Sequence, residues 1–327
     1  MSIKTNIEWA DSTGSPWYGC TVKSPGCEHC FARELTLRYD WAGWGNDAPR
    51  VRSKGFWDMA RRLNRKAEAP GICCGTEQAE DKCAYCGSSI THRRLRMFPS
   101  LMDWLDPMVP IGLFAEFLEL IRTTPNLNWL LLTKRPEFWR ERVYDVSLSG
   151  GCDQLTCGMP HWNERFELRQ WAEDWLENGK EPSNVWIGAT VEDQKRADER
   201  IPELLKIPAR VHFLSCEPLL EHVQIEQYLV SDYDKAAMQD QLLTPLEGFN
   251  YARVDWVIVG LESGSVRRDP GVGVITDDWD APKPGVVVQC EEWGVPCFVK
   301  QDTAFKPGQQ GRIPDEIWQL KQFPQTA

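Results

Sequence analysis

The stretch Asn128-Trp-Leu-Leu-Leu-Thr133-Lys-Arg-Pro136 sets the pattern from which the fold can be predicted. Residues 128–133 are predicted as a buried strand because their centre, Trp129 to Leu132, is a short apolar run. We expect a helix to begin at Pro136. Three polar residues, Thr133, Lys134 and Arg135, mark the end of the strand and the connection to the helix. A buried strand, a polar strand end and a following helix are the parts of a parallel βαβ unit.

The same alternation recurs on both sides of this stretch. The further candidates, in chain order, are strand 94–98, helix 110–123, helix 164–178, strand 184–190, helix 194–205, strand 210–215, strand 254–260, helix 284–293 and strand 295–300. Short apolar strands separated by amphipathic helices predict a parallel sheet. With about seven strands, a partial or complete (β/α) barrel of the TIM type is expected rather than a doubly wound sheet.

The length of 327 residues fits a single barrel domain, 1–327, with additions. We expect cysteine-containing insertions at 67–92 and 143–182 and a polar C-terminal tail at 303–327. No apolar run approaches the roughly 20 residues needed to cross a membrane, so a cytoplasmic protein without a membrane partner is expected. Twelve cysteines in a reducing compartment then indicate metal ligands or buried thiols rather than disulfides.

A cysteine cluster near the N-terminus carries the clearest chemical signal. Cys20, Cys27 and Cys30 have the spacing C-x6-C-x2-C. Three thiolates cannot close a tetrahedral zinc site alone. On a 4Fe–4S cluster they leave one iron open, as radical chemistry with S-adenosylmethionine requires. The spacing leaves a zinc knuckle equally open, with His29 or a distant cysteine as the fourth ligand.

A second cysteine group lies within the first predicted insertion. Its members are Cys73, Cys74, Cys83 and Cys86. Four thiolates make a closed tetrahedral set, so we expect a structural zinc ion there. An auxiliary iron–sulfur cluster and a set of free thiols are the alternatives.

Polar residues are concentrated where the predicted strands end, which is where (β/α) barrels carry out their chemistry. S-adenosylmethionine needs acids or carbonyls for its ammonium, a cation for its carboxylate, and hydroxyl or acidic partners for its ribose. The candidates for these contacts are Ser100, Asp103, Thr133, Lys134, Thr190, Glu192, Ser215, Glu217, Glu262 and Ser263. Each alone could be a helix cap or a loop residue. Their recurrence at successive strand ends favours a cofactor site.

One basic segment stands out in a chain whose formal net charge is −11. Such a charge disfavours non-specific coating of nucleic acid, because phosphate binding needs clustered cations. Residues 50–66 nevertheless combine several cations with two aromatic rings, as in proteins that contact phosphates and stack bases. We expect Arg61, Arg62, Arg65 and Trp57 to bind a nucleic acid or nucleotide-derived substrate. The alternative is the solvated face of an amphipathic helix.

Motifs along nearly the whole chain resemble those of a known family. They are Ile7-Glu-Trp-Ala-Asp-Ser-Thr13, Pro16-Trp-Tyr-Gly-Cys20, Cys27-x2-Cys30, Leu131-Leu-Thr-Lys-Arg-Pro136, Gly188-Ala-Thr-Val-Glu192, Phe213-Leu-Ser-Cys-Glu-Pro-Leu-Leu220, Asp255-Trp-Val-Ile-Val-Gly-Leu-Glu-Ser-Gly264 and Val299-Lys-Gln301. The chain resembles a family of proteins of unknown function, common in phage and prophage genomes, with a three-cysteine motif and a radical-SAM-like fold. The resemblance implies a 4Fe–4S cluster on the three cysteines, S-adenosylmethionine and an electron donor, without a substrate.

These observations lead to two hypotheses. The first is a radical-SAM-like iron–sulfur enzyme that cleaves S-adenosylmethionine to a 5′-deoxyadenosyl radical, which takes a hydrogen atom from the substrate. The second is a non-catalytic, zinc-stabilised phage protein that binds nucleic acid or protein. A bacterial or phage-infected host cell is the expected setting for either.

Overall fold

A computed structural model gives the architecture of the chain. It describes residues 5–67, 94–149, 165–231, 252–262, 266–276, 284–304, 306 and 308–325, and the backbone of 71–73 and 76–78. The predictions made for Cys74, Cys83, Cys86 and Ser263 lie outside the described residues. Of Cys73 only the backbone is described, in a short hairpin that pairs Gly71–Cys73 with Thr76–Gln78.

Seven parallel strands form the central sheet, and their order in the sheet is their order in the chain. They are β1 (Ser12–Gly14), β2 (Leu95–Pro99), β3 (Leu127–Thr133), β4 (Val185–Thr190), β5 (Val211–Cys216), β6 (Trp256–Gly260) and β7 (Cys297–Gln301). The sheet is curled into a half-barrel flanked by helices. The prediction of a parallel (β/α) sheet is confirmed, and of the two barrel forms expected the partial one is found.

Helices lie between the strands and beyond them. They are α1 (Phe31–Arg38), α2 (Phe56–Ala67), α3 (Ile111–Arg122), α4 (Trp139–Ser149), α5 (Phe166–Glu177), α6 (Gln194–Leu204), α7 (Glu226–Leu229), α8 (Val286–Glu292) and α9 (Asp315–Trp318). Within the described part of the chain, no helix is long and apolar enough to cross a membrane.

Both faces of the sheet are buried, which explains why its strands are continuous apolar runs. On one face, alternate residues such as Trp129 and Leu131 pack among the helices. On the other face, Leu130 joins an aromatic cluster built around Trp256 and Phe213. Consecutive side chains of a strand point to opposite faces, so burial on both sides requires an apolar residue at nearly every position.

The helical part of the predicted 143–182 insertion belongs to the main core. Trp175 of α5 is fully buried and packs edge-on against Trp139 of α4, with ring centroids 5.5 Å apart. The Trp175 indole donates a hydrogen bond to the Pro208 carbonyl at 2.7 Å. The intervening residues 150–164, which include Cys152 and Cys157, lie outside the described part.

The C-terminal segment, predicted as a polar tail, is attached to the edge of the sheet as far as it is described. The Val299 amide donates to the Leu320 carbonyl at 2.9 Å, and Phe298 and Lys321 form an antiparallel bridge. The Phe323 ring packs 5.5 Å from the Trp256 ring. This segment covers strand β7, whose backbone groups would otherwise form an open sheet edge.

Candidate functional site

The three N-terminal cysteines lie on one loop, residues 20–30, at the edge of the sheet where the strands end. We call it the cysteine loop. Gly19 precedes it with φ +98°, a conformation that favours glycine, and the Cys20 carbonyl accepts from the Gly45 amide at 3.0 Å. Cys27 ends a turn of 3-10 helix, and Cys30 is the N-cap residue of α1.

Arg135, which follows β3, holds the Cys20 end of the loop. Its Nη2 donates to the Thr21 carbonyl at 3.1 Å and to Thr21 Oγ1 at 2.5 Å. Its Nη1 lies 2.7 Å from Asp103 Oδ2 and 3.8 Å from Cys20 Sγ. Burial and the nearby Asp103 carboxylate raise the pKa of the Cys20 thiol to about 12, although Arg135 opposes this rise. At neutral pH this thiol is therefore protonated in the structure.

Gly26 brings the middle of the loop close to the ends of β3 and β4. A Cβ at this position would lie 3.0 Å from Lys134 Nζ and 3.3 Å from Glu192 Oε1, so a larger residue would displace one of them. Burial opposes ionisation of the Cys27 thiol, but the charge of Lys134 lowers its pKa below the ordinary value. The pKa values of the Cys20 and Cys27 thiols are thus shifted in opposite directions.

Glu192, after β4, is the acid whose hydrogen-bonding capacity is only half used. It is fully buried, and its Oε2 accepts from Arg200 Nη1 at 2.8 Å. Its Oε1 has no hydrogen bond of good geometry within the described residues, and the nearby Ser24 hydroxyl helps to lower the pKa of the carboxyl group. Burial alone would raise the pKa of Glu192, but the charges of Lys134 and Arg200 lower it below its ordinary range. An ionised carboxylate therefore lies beside the cysteine loop, close to Ser24 and Lys134.

Glu262, after β6, holds the other end of the loop through Arg268. Its carboxylate accepts from the Arg268 guanidinium and from the Arg268 amide, the latter at 2.8 Å, and lies 3.2 Å from His29 Nδ1. Arg268 Nη1 also donates to the Pro25 carbonyl and to Glu28 Oε2, both at 3.0 Å. Burial would raise the pKa of Glu262, but the hydrogen bonds from Arg268 lower it.

Several predicted cofactor contacts have their hydrogen bonds satisfied within the protein. Asp103 accepts from Thr133 Oγ1 at 2.6 Å, from the Leu105 and Lys134 amides, and from Arg135. Thr133 Oγ1 also accepts from the Arg135 amide at 2.9 Å and is buried. Both residues organise the loop that follows β3, and a cofactor contact by Asp103 or Thr133 stays a prediction.

The other strand ends contribute to the same edge. Glu217 Oε1 pairs with Lys300 Nζ at 2.7 Å, and Ser215 Oγ lies 3.5 Å from Glu217 Oε2. The Thr190 carbonyl accepts from Arg200 at 2.7 Å. Ser100 is half-buried, and its amide donates to the Gly14 carbonyl at 2.9 Å. The structure thus brings the described candidates to one edge, and of them Lys134 and Glu192 lie nearest to the cysteine loop at Gly26.

The predicted stacking surface at Trp57 is wrong. Trp57 is only 3% exposed, and its indole donates to the Ser53 carbonyl at 3.0 Å. The Arg52 guanidinium carbon lies 4.5 Å from the centre of the ring. Arg50, in the same basic segment, is also buried and pairs with Asp106 at 2.7 Å. A nucleobase therefore finds no open ring face at Trp57.

The exposed cations of α2 extend away from the cysteine loop. The Phe56 ring, at the start of α2, approaches Gly14 at the end of β1, whereas Asn64 accepts from the Asn126 amide just before β3. The helix therefore runs from the carboxyl edge to the amino edge of the sheet, and Arg65 lies roughly 13 Å along it from Phe56. Arg61, Arg62 and Arg65 are exposed. Whether they bind a substrate or form only the solvated face of an amphipathic helix stays a prediction.

Sequence reasoning missed the arginines that organise the site. Arg135, Arg200 and Arg268 each bind an acid that follows a strand and touch backbone carbonyls nearby. Arg135 stands directly after Lys134 at a polar strand end, which was the available signal. Arg268 lies six positions from its acid Glu262, but the sequence gives no signal of its contact with the loop, because Glu28 is 240 positions away.

The six cysteines of the described residues are free thiols. Within those residues, no group of three or more His, Cys, Asp or Glu side chains is arranged to hold a metal ion. The three loop thiols have the number and type of donors that an iron–sulfur cluster needs. Because they are not arranged around one point in this structure, binding of a cluster would have to bring them closer together. The zinc site predicted at Cys73, Cys74, Cys83 and Cys86 stays a prediction.

Fold and site together define a mixed α/β protein with a parallel half-barrel sheet and a three-cysteine loop at its carboxyl edge. The chain belongs to the family described as "Protein of unknown function (DUF5131)", whose pattern matches residues 4–317. No curated protein and no solved structure matches the chain.

Proposed function

We propose that the protein is an iron–sulfur enzyme of the radical-SAM type, with Cys20, Cys27 and Cys30 as cluster ligands. The observation that carries this proposal is the position of three free thiols on one loop at the carboxyl edge of a parallel half-barrel. That edge is where (β/α) folds place their reacting groups. The resemblance to phage and prophage proteins with a three-cysteine motif supports the same proposal.

The donors at this edge fit the cluster and its cofactor chemically. Three thiolates leave one iron of a 4Fe–4S cluster open. Beside them, the free Oε1 of Glu192 suits the ammonium of the S-adenosylmethionine amino-acid moiety, and Lys134 suits its carboxylate. Glu192 is ionised and buried, and its charge is already shared with Arg200 and Lys134, so a cation that reached Oε1 would join an existing charge network in a site of low dielectric constant.

Cys20, Cys27 and Cys30 would hold the cluster, which would supply the electron for reductive cleavage of S-adenosylmethionine. The residues of the chain position and shield. Arg135 and Arg268 hold the two ends of the cysteine loop against the ends of β3 and β6. Glu192 and Lys134 orient the amino-acid moiety, and the buried strand ends exclude water.

Anaerobic reconstitution tests the proposal. Reconstituted protein should contain iron and sulfide, and reduction with dithionite in the presence of S-adenosylmethionine should release 5′-deoxyadenosine, measured by mass spectrometry. Cys27→Ala should lose the iron and the cleavage. Cys297→Ala, which removes a buried thiol at the start of β7, is the matched control and should keep both. Wild-type protein that takes up iron and sulfide but cleaves no cofactor would refute the assignment as an enzyme.

The second candidate is a zinc-stabilised protein that binds nucleic acid without chemistry. The exposed cations of α2 favour it, because they can meet phosphates without access to the cysteine loop. Zinc without iron in anaerobically purified protein, together with oligonucleotide binding that is lost when Arg61, Arg62 and Arg65 are changed to Glu, would support this candidate over the enzyme. For the enzyme itself, a nucleic acid or nucleotide-derived substrate stays a prediction.

A further inference from the structure

Arg135 is the charged group that contacts a cysteine sulfur of the loop directly. Its side chain is 4% exposed, and its Nη1 lies 3.8 Å from Cys20 Sγ, within range of an N–H···S hydrogen bond. The same nitrogen lies 2.7 Å from Asp103 Oδ2. The guanidinium is thus placed between a carboxylate and a sulfur.

Hydrogen bonds to Asp103 on one side and to Thr21 on the other hold this guanidinium in place. Asp103, its acidic partner, is itself held by Thr133 Oγ1 at 2.6 Å and by the Lys134 amide at 3.0 Å. On the opposite side, the two hydrogen bonds from Nη2 to Thr21 set the plane of the guanidinium. A planar fork of donors, held in this way, directs an N–H group at the Cys20 sulfur.

Arg268 offers a comparison on the same loop. It is also paired with an acid at a strand end, Glu262, and its contacts with the loop are the Pro25 carbonyl and Glu28 Oε2. Both arginines therefore anchor the cysteine loop and place a positive charge near it. They differ in what they touch, since Arg135 reaches a sulfur and Arg268 reaches oxygens.

We propose that Arg135 is a positioning residue that donates a hydrogen bond to the Cys20 sulfur and thereby raises the reduction potential of a cluster held on the loop. This inference rests on the proposed function. Hydrogen bonds to ligand sulfurs and nearby positive charge stabilise the more negative, reduced form of a cluster. Arg135 therefore eases the transfer of an electron from an outside donor to the site, and it does so without touching the substrate.

The test is a redox titration of reconstituted protein, followed by electron paramagnetic resonance without substrate. Arg135→Gln should shift the midpoint potential to a more negative value than that of the wild type. Arg268→Gln removes the same charge from the same loop and should shift the potential less. Arg135→Lys keeps the charge and a donor for Asp103 but loses the fork, so its potential should lie between those of wild type and Arg135→Gln.

Each outcome decides the inference. Equal shifts in Arg135→Gln and Arg268→Gln, or no shift in Arg135→Gln, would overturn it and leave the proposed function standing. Wild-type protein without iron and sulfide would overturn both, and metal analysis shows this before any variant is titrated. If circular dichroism shows that Arg135→Gln does not fold, Arg135→Lys replaces it, and a potential equal to that of the wild type would overturn the inference.

Discussion

Replacing Glu192 by Gln tests the site most directly. The substitution keeps the size and shape of a side chain that is fully buried, and the amide oxygen of the new side chain can still accept from Arg200. The substitution removes the negative charge that faces Lys134 and Arg200, and it replaces the carboxylate oxygen Oε1 by an amide group. In the Glu192→Gln variant, an N–H donor takes the place of an acceptor for the S-adenosylmethionine ammonium.

The size of the effect follows from the bond that is lost. A hydrogen bond to a charged group contributes about 1.5–3 kcal/mol. Since about 1.4 kcal/mol corresponds to a factor of ten in affinity, Glu192→Gln should raise the Kd for S-adenosylmethionine roughly ten- to hundredfold. The fold should survive, because Arg200 keeps its hydrogen bond to the Thr190 carbonyl at 2.7 Å.

The assay is isothermal titration of S-adenosylmethionine into anaerobic, reconstituted protein. Glu199→Gln is the matched control, since Glu199 is an exposed acid on α6 that pairs loosely with Lys195 at 3.9 Å. This control should bind as the wild type does. If Glu192→Gln, with unchanged iron content and an unchanged circular-dichroism spectrum, binds within about twofold of the wild type, Oε1 of Glu192 has no part in cofactor binding.

Two further predictions concern stability. Asp106→Ala should lower the free energy of unfolding by about 3–5 kcal/mol, because it leaves the fully buried Arg50 guanidinium without its acid. Unfolding in guanidinium chloride measures this loss. The control Glu116→Ala breaks an exposed pair with Arg52 and should cost less than about 1 kcal/mol. Equal losses in the two variants would contradict the argument that burial makes the Arg50–Asp106 pair important. The second prediction concerns acid: the pKa of Glu192 is lower in the folded chain than its ordinary value of 4.5, so its stabilisation is present above that pH and is lost as the pH falls further. Between about pH 7 and pH 3, the free energy of unfolding should therefore fall less in Glu192→Gln than in the wild type. Identical pH profiles would show that the pKa of Glu192 is not lowered by folding.

The sequence by itself determined the sheet and most element bounds. The apolar run predicted at 128–133 became Leu127–Thr133, and the helix predicted at 194–205 became Gln194–Leu204. Such elements are readable because hydrophobic periodicity is local, and a strand buried on both faces needs apolar residues throughout. The sequence also determined that polar side chains meet at the carboxyl edge, since parallel strands end on the same side.

Only the tertiary structure decided which of those polar side chains are free to act. Asp103 and Thr133 matched the expected residue types, yet their hydrogen bonds are used up by Arg135 and by neighbouring amides. Glu192 keeps a free oxygen because Arg200 takes only the other one. Likewise, the packing of α2 against the sheet buries Trp57 in the core, although the sequence suggested an exposed ring. Hydrogen-bond partners and burial depend on contacts between distant parts of the chain, and local sequence patterns do not contain them.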